Sequence, residues 1–110
     1  MRFELQKILL VDDDPDDCFL FRKALADIDA QLQLQFISDC DDLLPAIASG
    51  KPNMVFMDIN MPKMSGFDCV RQIRELESYQ HLPIIMYSCS EQSPFITKAY
   101  DSGANLYLKK

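Results

Sequence analysis

Short runs of apolar residues that end in polar ones punctuate this chain, and their spacing predicts its layout. Lys7 to Val11 (KILLV), apolar from Ile8 on, and Met54 to Met57 (MVFM) each stop abruptly at an acid. Runs of that length without alternation are the pattern of strands buried on both faces. Pro83 to Tyr87 (PIIMY), with Ser88 at its end, and Leu106 to Leu108 continue the series. Gln31 to Ile37 (QLQLQFI) differs, because Leu32, Leu34 and Phe36 alternate with glutamines. One apolar and one polar face suit a strand at the edge of a sheet.

Between these runs the apolar period lengthens to that of a helix. Asp14-Pro15 offers an N-cap followed by proline at the first helical position, and Cys18, Phe21, Ala24, Leu25 and Ile28 follow at helical spacing. Leu43, Leu44 and Ile47 predict a short second helix that carries Pro45 near its start and stops at Gly50. After the loop Asn60 to Gly66, the positions Phe67, Val70, Ile73 and Leu76 form the stripe of a third. Ser93-Pro94 starts a fourth, with Ile96, Ala99 and Tyr100 inward and Gly103 past its end.

Strands alternating with helices imply right-handed βαβ units, hence an α/β fold with a parallel sheet covered by helices on both faces. Ligands of such open sheets bind outside the carboxyl ends of the strands. The residues at those ends are Asp12, Asp13 and Asp14, then Asp58, then Ser88, then Lys110. Polar chemistry therefore collects along one edge.

Composition narrows the choice of chemistry. A chain of 110 residues forms one domain, taken as 1–110, and is too short for two independent cores. Seventeen acids against eleven Lys and Arg give a formal charge of −6, with no basic cluster, which excludes direct nucleic-acid binding by this segment. No apolar stretch approaches the roughly 20 residues needed to span a bilayer. The N-terminal run lacks a small-residue cleavage site, so a cytoplasmic location is expected. Cys18, Cys40, Cys69 and Cys89 stand far apart with no CxxC or Cys/His cluster. That spacing argues against zinc and against a disulfide framework, and the thiols are expected to be reduced and mostly buried. His81, the single histidine, reads as a loop residue.

Carboxylates gathered at one sheet edge repel one another unless a cation sits among them. Magnesium suits such a place, because it takes oxygen ligands and is commonly held by one or two carboxylates plus a phosphate oxygen. A carboxylate beside it can attack phosphorus and form an aspartyl phosphate, with a lysine and a hydroxyl steadying the transferred group. Asp14 reads better as a helix cap, and Asp16 and Asp17 as acids favoured by the helix dipole. Asp12, Asp13 and Asp58 follow buried apolar runs directly, where uncompensated charge is costly, and these are the candidates.

At this point the sequence resembles the receiver domain of two-component response regulators, over essentially the whole chain. KILLVDDDP is similar to the first strand and acidic pair of that family, MVFMDINMPKMSGFD to its phosphoacceptor strand and loop, PIIMYSCS to its hydroxyl-bearing strand, and SGANLYLKK to its final strand with the lysine. The resemblance implies a doubly wound, flavodoxin-like sheet of five parallel strands in the order 2-1-3-4-5. It implies that Asp58 is the phosphoacceptor, that Asp13, Asp58 and the backbone carbonyl of Asn60 ligate Mg2+, and that Asp12 assists through water. Ser88 takes the place of the residue that binds the arriving phosphoryl group. Lys110, rather than Lys109, takes the lysine position by its distance from Gly103, and Tyr107 matches the aromatic position that changes rotamer on activation.

The function so implied is a phosphorylation-dependent signalling switch, not an enzyme beyond catalysing its own phosphorylation and dephosphorylation. Its partners would be a sensor histidine kinase or a histidine phosphotransfer protein upstream and a protein target or output domain downstream. Two other readings compete: a pseudo-receiver that only binds a partner, and an aspartyl-phosphate phosphatase, which lacks a second catalytic acid at Asn60. The sequence also departs from the family. Tyr87 is bulkier than the usual aliphatic residue, and Cys89 replaces the usual small alanine. The family's fifth helix has no counterpart before Lys110, so we expect a bare apolar sheet face. Further chain, a partner or a second copy forming a homodimer would then cover it.

Overall fold

A computed structural model describes residues 7–28, 31–61, 64–88 and 93–109. Five strands, β1 (Lys7–Val11), β2 (Gln33–Ile37), β3 (Met54–Asp58), β4 (Ile84–Ser88) and β5 (Leu106–Lys109), alternate with four helices, α1 (Pro15–Ile28), α2 (Leu43–Gly50), α3 (Gly66–Glu75) and α4 (Ser93–Ser102). All four pairings are parallel, and the order is β2-β1-β3-β4-β5. The expected fold class is thus observed. The alternating QLQLQFI run does form an edge strand, while the unbroken apolar runs β1 and β3 lie inside the sheet.

Strand alternation sorts the side chains onto two faces. Leu9, Val11, Val55, Met57, Ile84 and Met86 pack against α2, α3 and α4 through Leu43, Ile47, Val70, Ile73 and Ala99, forming the larger core. On the opposite face Leu10, Cys18 and Tyr87 are buried with half-buried Phe21, Leu34, Phe36 and Phe56 around them. Among the described residues, α1 is the one helix that contributes to that second cluster. Leu106 and Leu108 are 51% and 50% exposed, so the expected bare strip is present at β5.

Several details differ from expectation. Ile28 ends α1 at 77% exposure, beyond the reach of the sheet. In α4 the inward face runs through Phe95, Ala99 and Ser102, which stand four and three residues apart, and Tyr100 is turned to solvent at 46% exposure. Gly50 is the last helical residue of α2, and Lys51 takes the left-handed position with φ 47° while its N–H caps the Ile47 carbonyl. The cysteines do not all stay apart. Cys40, in a 3-10 turn before α2, and Cys69, in the first turns of α3, are 6.2 Å apart at Cα and joined as a disulfide. Their 29-residue separation carried no hint of it, because the contact exists only once both helices pack on the same sheet face. Cys18 is a buried thiol whose Sγ faces the Asp12 carbonyl, and Cys89 lies outside the described residues.

Candidate functional site

The first acid is fixed by its backbone before its side chain is considered. The Asp12 N–H donates to the Ile37 carbonyl at 3.0 Å, which carries the β1–β2 ladder one residue past the strand. The side chain is consequently held at the sheet edge, 2% exposed. Asp12 Oδ1 accepts the Asp14 N–H at 3.0 Å, and Asp12 Oδ2 accepts the Tyr87 hydroxyl at 2.5 Å. Asp13 is exposed beside it. Asp14 is the cap expected of it: its side chain accepts the Asp16 N–H at 2.9 Å and its carbonyl the Cys18 N–H.

Asp58 is the last residue of β3 and 5% exposed. The chain beyond it turns back so closely that the Gly66 N–H donates to the Ile59 carbonyl at 2.8 Å. A Cβ at Gly66 would stand 2.1 Å from the Asp58 carbonyl oxygen, so only glycine permits this approach. Ser65 then caps α3, accepting the Asp68 N–H and donating to the Asp68 carboxylate. Through this return the rigid N-terminus of α3 braces the strand end that carries Asp58.

Side-chain oxygens of Asp12, Asp13 and Asp58 all come within 4.8 Å of one another. Three carboxylates so close, two of them buried, suit a hard divalent cation by charge and by donor type. Asn60 is exposed in the loop directly after Asp58. Ser88 ends β4, 4% exposed, one residue beyond the Asp58–Tyr87 pairing of β3 with β4. In the next register Ser88 stands opposite Lys109. Lys110, the expected lysine, lies outside the described residues. Tyr107, opposite Met86, is half-buried against the larger core.

Two residues have structural roles that no local pattern shows: Tyr87 beside the site, and Arg74 at the opposite end of the sheet. The sequence shows Tyr87 only as a bulky residue, yet its hydroxyl reaches across β3 to Asp12. A tyrosine within a buried strand needs a partner for its O–H, and that was the available signal. Burial pushes the Tyr87 phenol well above its ordinary pKa, followed by the hydrogen bond to Asp12 and the charges of Asp12, Asp58 and Cys18. It is a donor throughout the working pH range. Arg74 is the second. Its guanidinium donates to the carbonyls of Gly103, Tyr79 and Leu82 and to Asn105 Oδ1, tying α3 to the loops before β4 and β5, and burial lowers its pKa.

Comparison with known proteins gives a uniform result. The family described as response regulator receiver domain matches residues 8–110. The chain is similar to the chemotaxis protein CheY of Pseudomonas aeruginosa, 32% identical over 107 residues, covering 94% of this chain and 83% of that protein. Among solved structures, a response regulator in red light signaling of R. palustris superposes with a TM-score of 0.85 at 32% identity, covering 94% and 80% of the two chains. Chemotaxis protein CheY4 of Vibrio cholerae gives a TM-score of 0.87 at 25% identity, with 97% and 88% covered. Among the described residues no helix is long and apolar enough to cross a membrane.

Proposed function

This chain belongs to the response regulator receiver domain family, and on that premise we propose that it is a phosphorylation-dependent switch whose phosphoacceptor is Asp58. The observation that carries this is the gathering of Asp12, Asp13 and Asp58 within 4.8 Å, at the strand end next to Ser88. A phosphohistidine of a sensor histidine kinase or phosphotransfer protein is the donor. An Asp58 carboxylate oxygen attacks phosphorus, the phosphorus–nitrogen bond breaks, and neutral imidazole leaves after protonation. Carboxylates this close would hold a magnesium ion through Asp13, Asp58 and the backbone carbonyl of Asn60, with Asp12 assisting through water. When bound, the ion neutralises charge that develops on the transferred oxygens.

Ser88 donates its hydroxyl to one of those oxygens, and Lys110 is assigned the matching cationic contact. Both residues are drawn toward the new dianion, and Tyr107 repacks with the α4–β5 face to present a changed surface to a downstream protein. The switch signals from the cytoplasm and does not turn over a substrate of its own. Leu106 and Leu108, with exposed Leu20 of α1, leave an apolar strip that we assign to a fifth helix of the protein or to a second copy in a homodimer.

Intact mass after incubation with acetyl phosphate tests this. We expect one added phosphoryl group that requires both Mg2+ and Asp58 and is absent from Asp58→Asn. A folded protein that gains no mass would instead be a partner-binding pseudo-receiver.

A further inference from the structure

Tyr87 stands on β4 with its Cα opposite Asp58, yet its hydroxyl passes over β3 to a residue of the β1 end. The ring is held in place by an aromatic cluster. Phe21 and Phe56 meet edge to face at 4.8 Å between centroids, and the Tyr87 ring lies 6.1 Å and 6.4 Å from them. A rigid ring with two torsions, packed on both flanks, fixes the position of its hydroxyl at small entropic cost. Asp12 receives that hydroxyl on Oδ2 while Asp14 N–H occupies Oδ1, so the carboxylate plane is set from two sides.

We propose that Tyr87 is a positioning residue for the cation: it orients Asp12 so that this carboxylate serves the ion's water shell while Asp13 and Asp58 face the ion. The inference rests on the phosphoacceptor function proposed above and adds to it a residue that touches neither ion nor phosphoryl group. Outer-shell donors that orient a carboxylate commonly contribute ten- to a hundredfold to metal affinity, and loss of this one is assigned about tenfold. The aromatic cluster thereby connects α1 to the acidic site, since Phe21 belongs to that helix and Tyr87 to the strand that bears Ser88.

The test is calorimetric titration of Mg2+ into the full chain and into Tyr87→Phe and Phe21→Leu, together with the Asp14 amide resonance in metal-free protein. Tyr87→Phe should weaken Mg2+ binding about tenfold, shift the Asp14 amide, and need correspondingly more Mg2+ for phosphorylation while reaching the same final extent. Phe21→Leu loosens the packing but keeps the hydroxyl, and its Mg2+ affinity should stay within about twofold of the parent, well short of the loss expected of an orienting donor. Unchanged affinity in Tyr87→Phe, or an equal loss in both variants, overturns the positioning role and leaves the phosphoacceptor function standing. A parent chain that binds no Mg2+ removes that function, and this inference with it.

Discussion

On one face of the sheet, aliphatic side chains of β1, β3 and β4 are sealed under α2, α3 and α4; on the other, Phe21, Phe56 and Tyr87 cluster at α1 and β5 stays half-open. The sealed face contains Leu9, Val55, Ile73, Ile84 and Met86, all without solvent exposure, and is tied further by Arg74 and by the Cys40–Cys69 bond. The open face holds a groove of about 350 Å³ lined by Leu20, Phe21, Phe56, Tyr87 and Leu108. Stability is therefore concentrated on one side of the sheet. The side with less packing is the one whose tyrosine reaches the acidic site.

Substitution can set the two faces directly against each other. Ile73→Ala should cost about 4 kcal/mol, because it empties a fully enclosed position. Leu108→Ala, at a half-exposed position, should cost less than about 1 kcal/mol. Urea unfolding followed by circular dichroism measures both, and equal losses would mean that the β5 strip is buried in solution. Next in size is the disulfide. Reducing a bond that closes a loop of this length should lower stability by about 3 kcal/mol, read from the same unfolding curves with and without reductant. An unchanged midpoint, with four titratable thiols before reduction, would show Cys40 and Cys69 to be neighbouring thiols, as a reducing cytoplasm favours.

Arg74→Lys should cost about 2 kcal/mol, since an ammonium cannot replace a planar fork that serves four acceptors at once. Hydrogen exchange should quicken first in the loops before β4 and β5. Phe21→Leu on the open face should cost about 1 kcal/mol, because the site is only half-buried and the replacement still fills most of it.

The strand ends were the most legible part of the sequence. A run such as MVFM that halts at Asp58 states both a buried strand and the edge where it stops, and two such runs bring the acids together without any knowledge of loops. Helix faces were less legible, since one apolar residue at the margin of a stripe can turn either way, as Tyr100 and Ile28 show. Least legible were contacts between elements distant in sequence. The Cys40–Cys69 bond, the Arg74 fork and the Tyr87–Asp12 hydrogen bond depend on how helices and strands pack, and no local periodicity encodes that. Gly66 is intermediate: the loop that it ends is legible in the sequence, but its close approach to the Asp58 carbonyl arises only in the fold.

If Asp58 is the phosphoacceptor, the buried carboxylate at the end of β3 takes the phosphoryl group and the exposed Asp13 beside it does not. Borohydride reduces an acyl phosphate to the alcohol, so treating the phosphorylated chain and sequencing its peptides by tandem mass spectrometry identifies the acceptor. Homoserine at position 58 alone is the predicted result. Homoserine at position 12 or 13, or at none of the three in a protein that has gained phosphoryl mass, would contradict the account.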